Sequence, residues 1–351
     1  MSLFSLLKST SNVSVHPTCL FLDWNESEAE SASAKWLTVS EMDDAHRSAI
    51  RWQTIVKWKE LNCDIIIATN FPSTSNPGIK PFEEGPSSIP YLKSHLQKSI
   101  RRSNSFKAIK TASHLYHIDS LELLRRLTII AVEDAMPLSG YSTLVWMIAA
   151  CTGGYSLSEE HFCWILGNVH NLCQCSHYEQ LPKPSVSQDQ AMKSLRLRSL
   201  KGEGRDLSYS LLFRQSYGGT AGDKEMLRSA TELWAARFRV GSEFIKLLSV
   251  PPVFITPPLE PLTPNEWIAA AVDFHCYPGV LLNLSEKHDE FTPEDIKEAI
   301  WHCSSSLTNK ANIAENLKQR DNDSPRHTAV WKVIKRDFLS LARFRISRGG
   351  T

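Results

Sequence analysis

"LLRRLTIIAVEDAMP", residues 123–137, decides the fold class. Placed on a helix at about 100° per residue, Leu123, Leu124, Leu127, Ile130 and Ala131 share one broad face. Glu122, Arg126 and Glu133 fall on the opposite stripe, with Ile129 between them. Apolar coverage this wide predicts a helix that other helices enclose. Glu122 and Arg126 stand four apart, a favourable pair worth about 0.2–0.5 kcal/mol. Asp134 falls on the apolar face at the helix end, where burial and the helix dipole both oppose its charge. It needs a partner: a backbone cap of the next segment, or an arginine of a neighbouring helix such as Arg101 or Arg102. A functional carboxylate is the competing reading.

Outward from this run the chain organises itself. Residues 91–178 read as helix after helix, and 205–248 as helical again, broken by "SYGGTAGD". Toward the N-terminus, 15–23 and 63–71 are β-branched and compact, and read as strands. Between them Met42, Ala45, Ile50, Trp52, Ile55 and Trp58 recur at helix-like spacing, which predicts a helix over 41–61. Pro72, Pro77, Pro81, Pro86 and Pro90, and then "VPPVFITPPLEPLTP" at 250–264, mark linkers. Thr263-Pro264-Asn265-Glu266 and Thr292-Pro293-Glu294-Asp295 have the same grammar: an N-cap threonine, a proline in the first turn and an acid at the third helical position. The expected architecture is mainly α, a helical bundle or array with a small N-terminal α/β unit. Its divisions are the unit at 1–71, a linker at 72–90, a helical domain at 91–249, a proline-rich linker at 250–264 and a C-terminal helical region with a basic tail at 265–351.

Composition narrows the function classes. The 351 residues are 42% hydrophobic and 22% charged, with a net charge of +1, so the molecule as a whole is no polycation. No apolar run approaches the roughly 18 residues of a membrane span, and "MSLFSLLKSTS" does not read as a secretory signal. Eight cysteines are scattered without a framework spacing, which suggests reduced thiols and an intracellular protein, cytoplasmic or nuclear. Most of the ten tryptophans are expected in the core.

Residues 91–135, "YLKSHLQKSIRRSNSFKAIKTASHLYHIDSLELLRRLTIIAVEDA", resemble the helical collar of clamp-loader-type AAA+ ATPases, in particular the replication-associated recombination ATPases. The order is similar: a basic "LQKSIRRS" helix, an alanine-bearing helix, then "RRL-I-A-ED". The resemblance implies that Arg125, Arg126, Glu133 and Asp134 hold collar helices together. It covers about 45 residues, and the sequence has no GxxxxGK[ST] loop and no acidic strand-end pair for magnesium. ATP hydrolysis is therefore not implied.

Three features could carry chemistry. "HFCWILGNVHNLCQCSHYE" gathers His161, Cys163, His170, Cys173, Cys175 and His177, groups that zinc prefers, and the last four are enough for a closed site. The spacing is not a standard one, and a buried helix with small thiols is the competing reading; otherwise no cofactor is expected. "VDFHCYPG" holds Asp273, His275 and Cys276, and "WHCSSS" holds His302 and Cys303. His275 cannot serve its neighbour Cys276, because adjacent helical side chains point about 100° apart, so only a cross-helix pair such as His302 with Cys276 would suit a thiolate nucleophile. In "YGGTAGDKE" the glycine loop enters a helix and could hold a phosphate, but Asp223 is a natural N-cap for those amides.

The basic segments are the most informative. Residues 91–110 hold Lys93, Lys98, Arg101, Arg102, Lys107 and Lys110 and no acid. Residues 193–205 hold Lys193, Arg196, Arg198, Lys201 and Arg205 against Glu203. The tail from 326 to 348 holds Arg326, Lys332, Lys335, Arg336, Arg343, Arg345 and Arg348 against Asp337. Such local charge suits phosphate contacts; a solvated helix face is the bland alternative. The expected function is a non-enzymatic nucleic-acid-associated or complex-assembly factor, its partner a nucleic acid or an acidic protein surface and not a membrane. Lys98, Arg101, Arg102, Lys107, Arg196, Arg198, Arg343, Arg345 and Arg348 are its candidate contacts. A metal- or thiol-dependent enzyme built on the Cys/His clusters is the alternative.

Overall fold

Residues 123–133 of the opening run form the end of a long helix, and its apolar face is fully enclosed: Leu123, Leu124, Leu127 and Ile130 are each 0% exposed. The computed structural model describes residues 18–24, 32–38, 40–58, 61–73, 82, 85–182, 200–248, 253–268, 278–313 and 325–347. In chain order the elements are β1 (Cys19–Asp23), β2 (Ser33–Leu37), α1 (Asp44–Ala49), β3 (Trp52–Trp58), β4 (Cys63–Thr69), α2 (Ile89–Arg101), α3 (Ser105–Glu133), α4 (Tyr141–Thr152), α5 (Glu159–Gln174), β5 (His177–Tyr178), α6 (Gly202–Arg214), α7 (Ala221–Val240), α8 (Pro278–Lys287), α9 (Pro293–Ile300), β6 (Ala311–Asn312) and α10 (Pro325–Ser347). The chain is mainly helical with a small N-terminal sheet unit, as its periodicity predicts. It divides into two compact units that take turns along the sequence: 1–79, 127–168 and 181–255 form the first, and 80–126, 169–180 and 256–351 the second.

The first unit is built on a four-stranded sheet of order β2-β1-β4-β3, in which only β1 and β4 run parallel. Cys19, Phe21, Ile66 and Ala68 point to one face and meet Leu37 and Met42. The other face is aromatic. Trp36 packs on Trp58, Tyr209 and Phe213, with ring centroids 5.5, 5.8 and 5.2 Å away. The outer edge of β2 is closed by side chains: the amide of Ala34 donates to Thr143 Oγ1 at 3.0 Å, and that of Trp36 to Asp206 Oδ1 at 2.8 Å. An edge strand left bare would template pairing with other chains; here α4 and α6 occupy it.

One expectation fails in this unit. The segment 41–61 is not one helix: only Asp44–Ala49 is helical, and Trp52–Trp58 is a strand paired along its length with β4. Thr54, Ile55 and Val56 are β-branched and stiff at χ1, which favours the pleated surface. The spacing of Trp52, Ile55 and Trp58 fits a helix only by coincidence.

The proline-rich segment after 250 is held, not loose, where it crosses α5. The amide of Ile255 donates to the carbonyl of Cys163 at 3.2 Å. Beside it Gly167 lies so close to the backbone that a Cβ would sit 1.5 Å from the Val253 carbonyl oxygen. Only glycine permits that approach.

In the second unit α3 breaks once. Asp119 is non-helical (φ −159°, ψ 96°), and its carboxylate accepts from the amide of Glu122 at 2.9 Å. It acts as an internal N-cap and starts the helix that carries the opening run. The expected Glu122–Arg126 pair does not form. Glu122 instead accepts from Lys93 at 2.6 Å and from Arg125 at 3.1 Å, while Arg126 donates to Gln97 at 3.2 Å. At the helix end Glu133 is exposed and Asp134 is buried. Toward the C-terminus α8, α9 and α10 enclose their own core of Val280, Leu284, Ile296, Ala299, Ile300, Val330, Ile334 and Phe338. Thr292 and Asp295 form the capping box that the sequence announced. Thr263 pairs with Glu266 in the same way, its amide donating to Oε2 at 2.7 Å. Residues 264–266 make a turn there, and 269–277 lie outside the described residues.

Candidate basic surfaces

The cations of 91–110 sit at the end of α2 and the start of α3, because the same helices that bury Leu92, Leu96 and Ile100 carry them. None of the six is exposed, and each donates to an acceptor within the second unit. Lys93 takes Glu122. Lys98, 5% exposed, donates to Ser94 Oγ at 2.9 Å. Arg101 and Arg102 donate to the carbonyls of Ser305 and Ser304 at 2.5 and 2.9 Å. Lys107 donates to the carbonyl of Glu266 at 2.5 Å, and Lys110 to that of Pro261 at 3.2 Å.

These are capping contacts. Ser304 and Ser305 end the helical turn that follows α9, so the two guanidiniums meet the negative end of a helix. The favour is returned: Thr308 Oγ1 and Asn309 Nδ2 donate to the carbonyls of Arg101 and Arg102 at the end of α2, at 3.1 and 2.8 Å. Lys310, which the sequence reading did not single out, does the same for α5, donating to the carbonyls of Leu172 at 2.5 Å and Cys175 at 2.6 Å. The field of these cations reaches His95. It is fully buried, and its basicity is pushed down to about 3 by desolvation and then by Lys107, Lys98 and Arg102.

In the second basic segment Arg196 and Arg198 lie outside the described residues. Arg205 pairs with Glu41 at 2.8 Å. In the tail, Arg348 and the side chain of Arg345 also lie outside them, as does the side chain of Phe344. The rest of α10 is well placed. Its buried side, Val330, Ile334, Phe338 and Ala342, fixes the phase of the helix. Diametrically opposite, at about 100° per residue, stand Ala329, Lys332, Arg336, Ser340 and Arg343, all exposed. Lys335 flanks this crest and is exposed too. The single acid of the helix, Asp337, is turned aside to Lys287 at 2.8 Å and His288 at 3.0 Å, and those partners hold its carboxyl below the usual range. Arg326, at the helix start, pairs with Asp295 at 2.7 Å. Among the described residues nothing anionic stands along this crest. The helical spacing of 332, 336 and 343 opposite 330, 334 and 338 is a signal the sequence already held.

Among the described residues no three of His, Cys, Asp and Glu gather into a metal-holding group, although His170, Cys173, Cys175 and His177 are all described. Their local roles are packing and capping. Cys173 is 1% exposed with its thiol pushed up to about 12 by burial. The Cys175 Sγ–H donates to the His177 carbonyl at 3.2 Å, and His177 lies in the short β5–β6 bridge. Asp273, His275 and Cys276 lie outside the described residues. His302 stacks on His327 with centroids 4.8 Å apart and stands 3.3 Å from Glu298. At the glycine loop the N-cap is Thr220, not Asp223: Asp223 is the third residue of a capping box and accepts from the Thr220 amide at 2.7 Å.

The sequence singles out His161 only as a soft-ligand candidate, and Asp206 not at all. Asp206 lines a recess with Ser33, Ser139, Ser142 and Glu203. Burial pushes its pKa up to about 6, against the opposing bond from the Trp36 amide. His161 is fully buried and lies stacked on Trp24 with centroids 4.1 Å apart. Its Nδ1 accepts from the Ser158 amide at 3.2 Å, so the capping box of α5 is closed by an imidazole where a carboxylate is usual. No tool of sequence periodicity separates such a histidine from a surface one. Among the described residues no helix is long and apolar enough to cross a membrane. No family model matches the chain, and no curated protein and no solved structure matches it.

Proposed function

We propose that this chain is a non-enzymatic binding or assembly factor for a polyanion, a nucleic acid or an acidic protein surface, and that it makes contact through the crest of α10. One observation carries the reading. Lys332, Lys335, Arg336 and Arg343 are exposed, whereas the cations of 91–110 donate inward to their own unit. Opposite charge held in solvent is available to a partner; charge spent on helix ends is not. The collar-like run 91–135 fits the assembly half of this reading, since the resemblance gives Arg125, Arg126, Glu133 and Asp134 a packing role.

Heparin chromatography of the full chain tests it. The wild type is expected to be retained at low salt, and Lys332→Glu/Arg336→Glu to elute markedly earlier, with unchanged far-ultraviolet circular dichroism. A wild type that flows through at low salt sinks the reading. Equal elution of the two proteins removes α10 from it.

A further inference from the structure

The shape of the crest says which polyanion fits. We infer that α10 is built to lie in the major groove of B-form DNA, an inference that rests on the reading above. The helix is 23 residues long, and from Ala329 to Arg343 the crest runs about 21 Å at 1.5 Å per residue. Its exposed residues form a ridge directly opposite the buried side chains. A helix about 10–12 Å across matches a major groove about 12 Å wide and 8.5 Å deep. The two uncharged crest positions are small: Ala329 before the first cation and Ser340 between Arg336 and Arg343 let the groove walls come close to the helix backbone, and a serine hydroxyl can donate to a phosphate. Lys332, Arg336 and Arg343 then reach phosphates or the acceptor edge of guanine.

The alternatives fit less well. Single strands are held in concave basic grooves floored by aromatic rings. In α10 the described aromatics serve the core: Phe338 is fully buried, and Trp331 packs against it with centroids 5.5 Å apart. Duplex RNA has a major groove too deep and narrow for side chains to read. An acidic protein would need no groove-sized ridge.

Fluorescence anisotropy with the full chain separates these cases, using one 20-base-pair DNA duplex, the RNA duplex and the single-stranded DNA of the same sequence. The DNA duplex is expected to bind tightest. Lys332→Ala/Arg336→Ala/Arg343→Ala should weaken it by about eightfold per phosphate contact at 0.1 M salt, and flatten the log–log salt slope by about 0.9 per contact. Lys57→Ala, an exposed cation of the sheet, is the control and should change nothing. Binding of single strands or duplex RNA as tight as the DNA duplex, or a DNA-duplex affinity untouched by the triple substitution, overturns the groove inference and leaves polyanion binding standing. Absence of binding to all three probes at low salt overturns both.

Discussion

Replacing Lys310 with methionine isolates what a buried cation contributes by capping the carbonyls of a helix end. Lys310 is 4% exposed, and its ammonium spans the last turn of α5, donating to Leu172 at 2.5 Å and to Cys175 at 2.6 Å. Methionine matches the length and fills the same space. It leaves two carbonyl oxygens at a helix end without that donor, each at about 1–3 kcal/mol. Against that loss, the variant no longer desolvates an ammonium, which costs several kcal/mol in the wild type. The two carbonyls together lose about 2–6 kcal/mol and the relieved desolvation returns most of it, so the expected balance is a destabilisation of about 1 kcal/mol. Urea unfolding followed by tryptophan fluorescence reads it as a lower midpoint at unchanged m. Retention on heparin should not move. A loss below about 0.5 kcal/mol would refute the capping role, and would return Lys310 to the pool of solvent-facing cations.

Two other outcomes follow from the first unit. His161 has its basicity pushed down to about 3 by burial, below its unfolded value, so the stability it allows is present at neutral pH and is lost as pH falls from about 6.5 toward 3, by up to about 1.4 kcal/mol per pH unit; His161→Asn, whose amide oxygen can still accept from Ser158, should flatten an acid-unfolding curve over that range, and an unchanged curve would show that His161 is protonated in the native state. Gly167→Ala sets a methyl against the Val253 carbonyl, and overpacking of this kind costs about 1–3 kcal/mol or more; a thermal midpoint within a degree of the wild type would mean that the segment lifts away freely.

The parts of this molecule that were legible in the sequence are those whose physics is local. Leu123 to Ala131 write their burial in a 3.6-residue period, and Thr292 and Asp295 spell a capping box within four residues. Trp52 to Trp58 misled because three bulky residues fit a helical stripe, while the β-branched run between them answers to its strand partner β4. The same limit governs the candidate surface. Lys98, Arg101, Arg102 and Lys107 are as basic on paper as Lys332, Arg336 and Arg343. What separates them is where their acceptors lie: the carbonyls that Arg101, Arg102 and Lys107 meet are 204, 202 and 159 residues away, and no window of sequence reports them. The crest of α10 could have been found from its phase alone, because its buried side is apolar and its exposed side is not.

The closed edge of β2 also has a history within each synthesis of the chain. Its amides at Ala34 and Trp36 wait for Thr143 and Asp206, which follow 109 and 170 residues later. A ribosome adding roughly 5–20 residues each second delivers the second of these about 8–34 s after the strand itself. During that interval β1 to β4 can already pair, yet one rim of the growing sheet offers unbonded amides to any other strand nearby. Translation speed between codons 70 and 206 therefore sets how long every newborn molecule is open to miscoupling with its neighbours on a polysome.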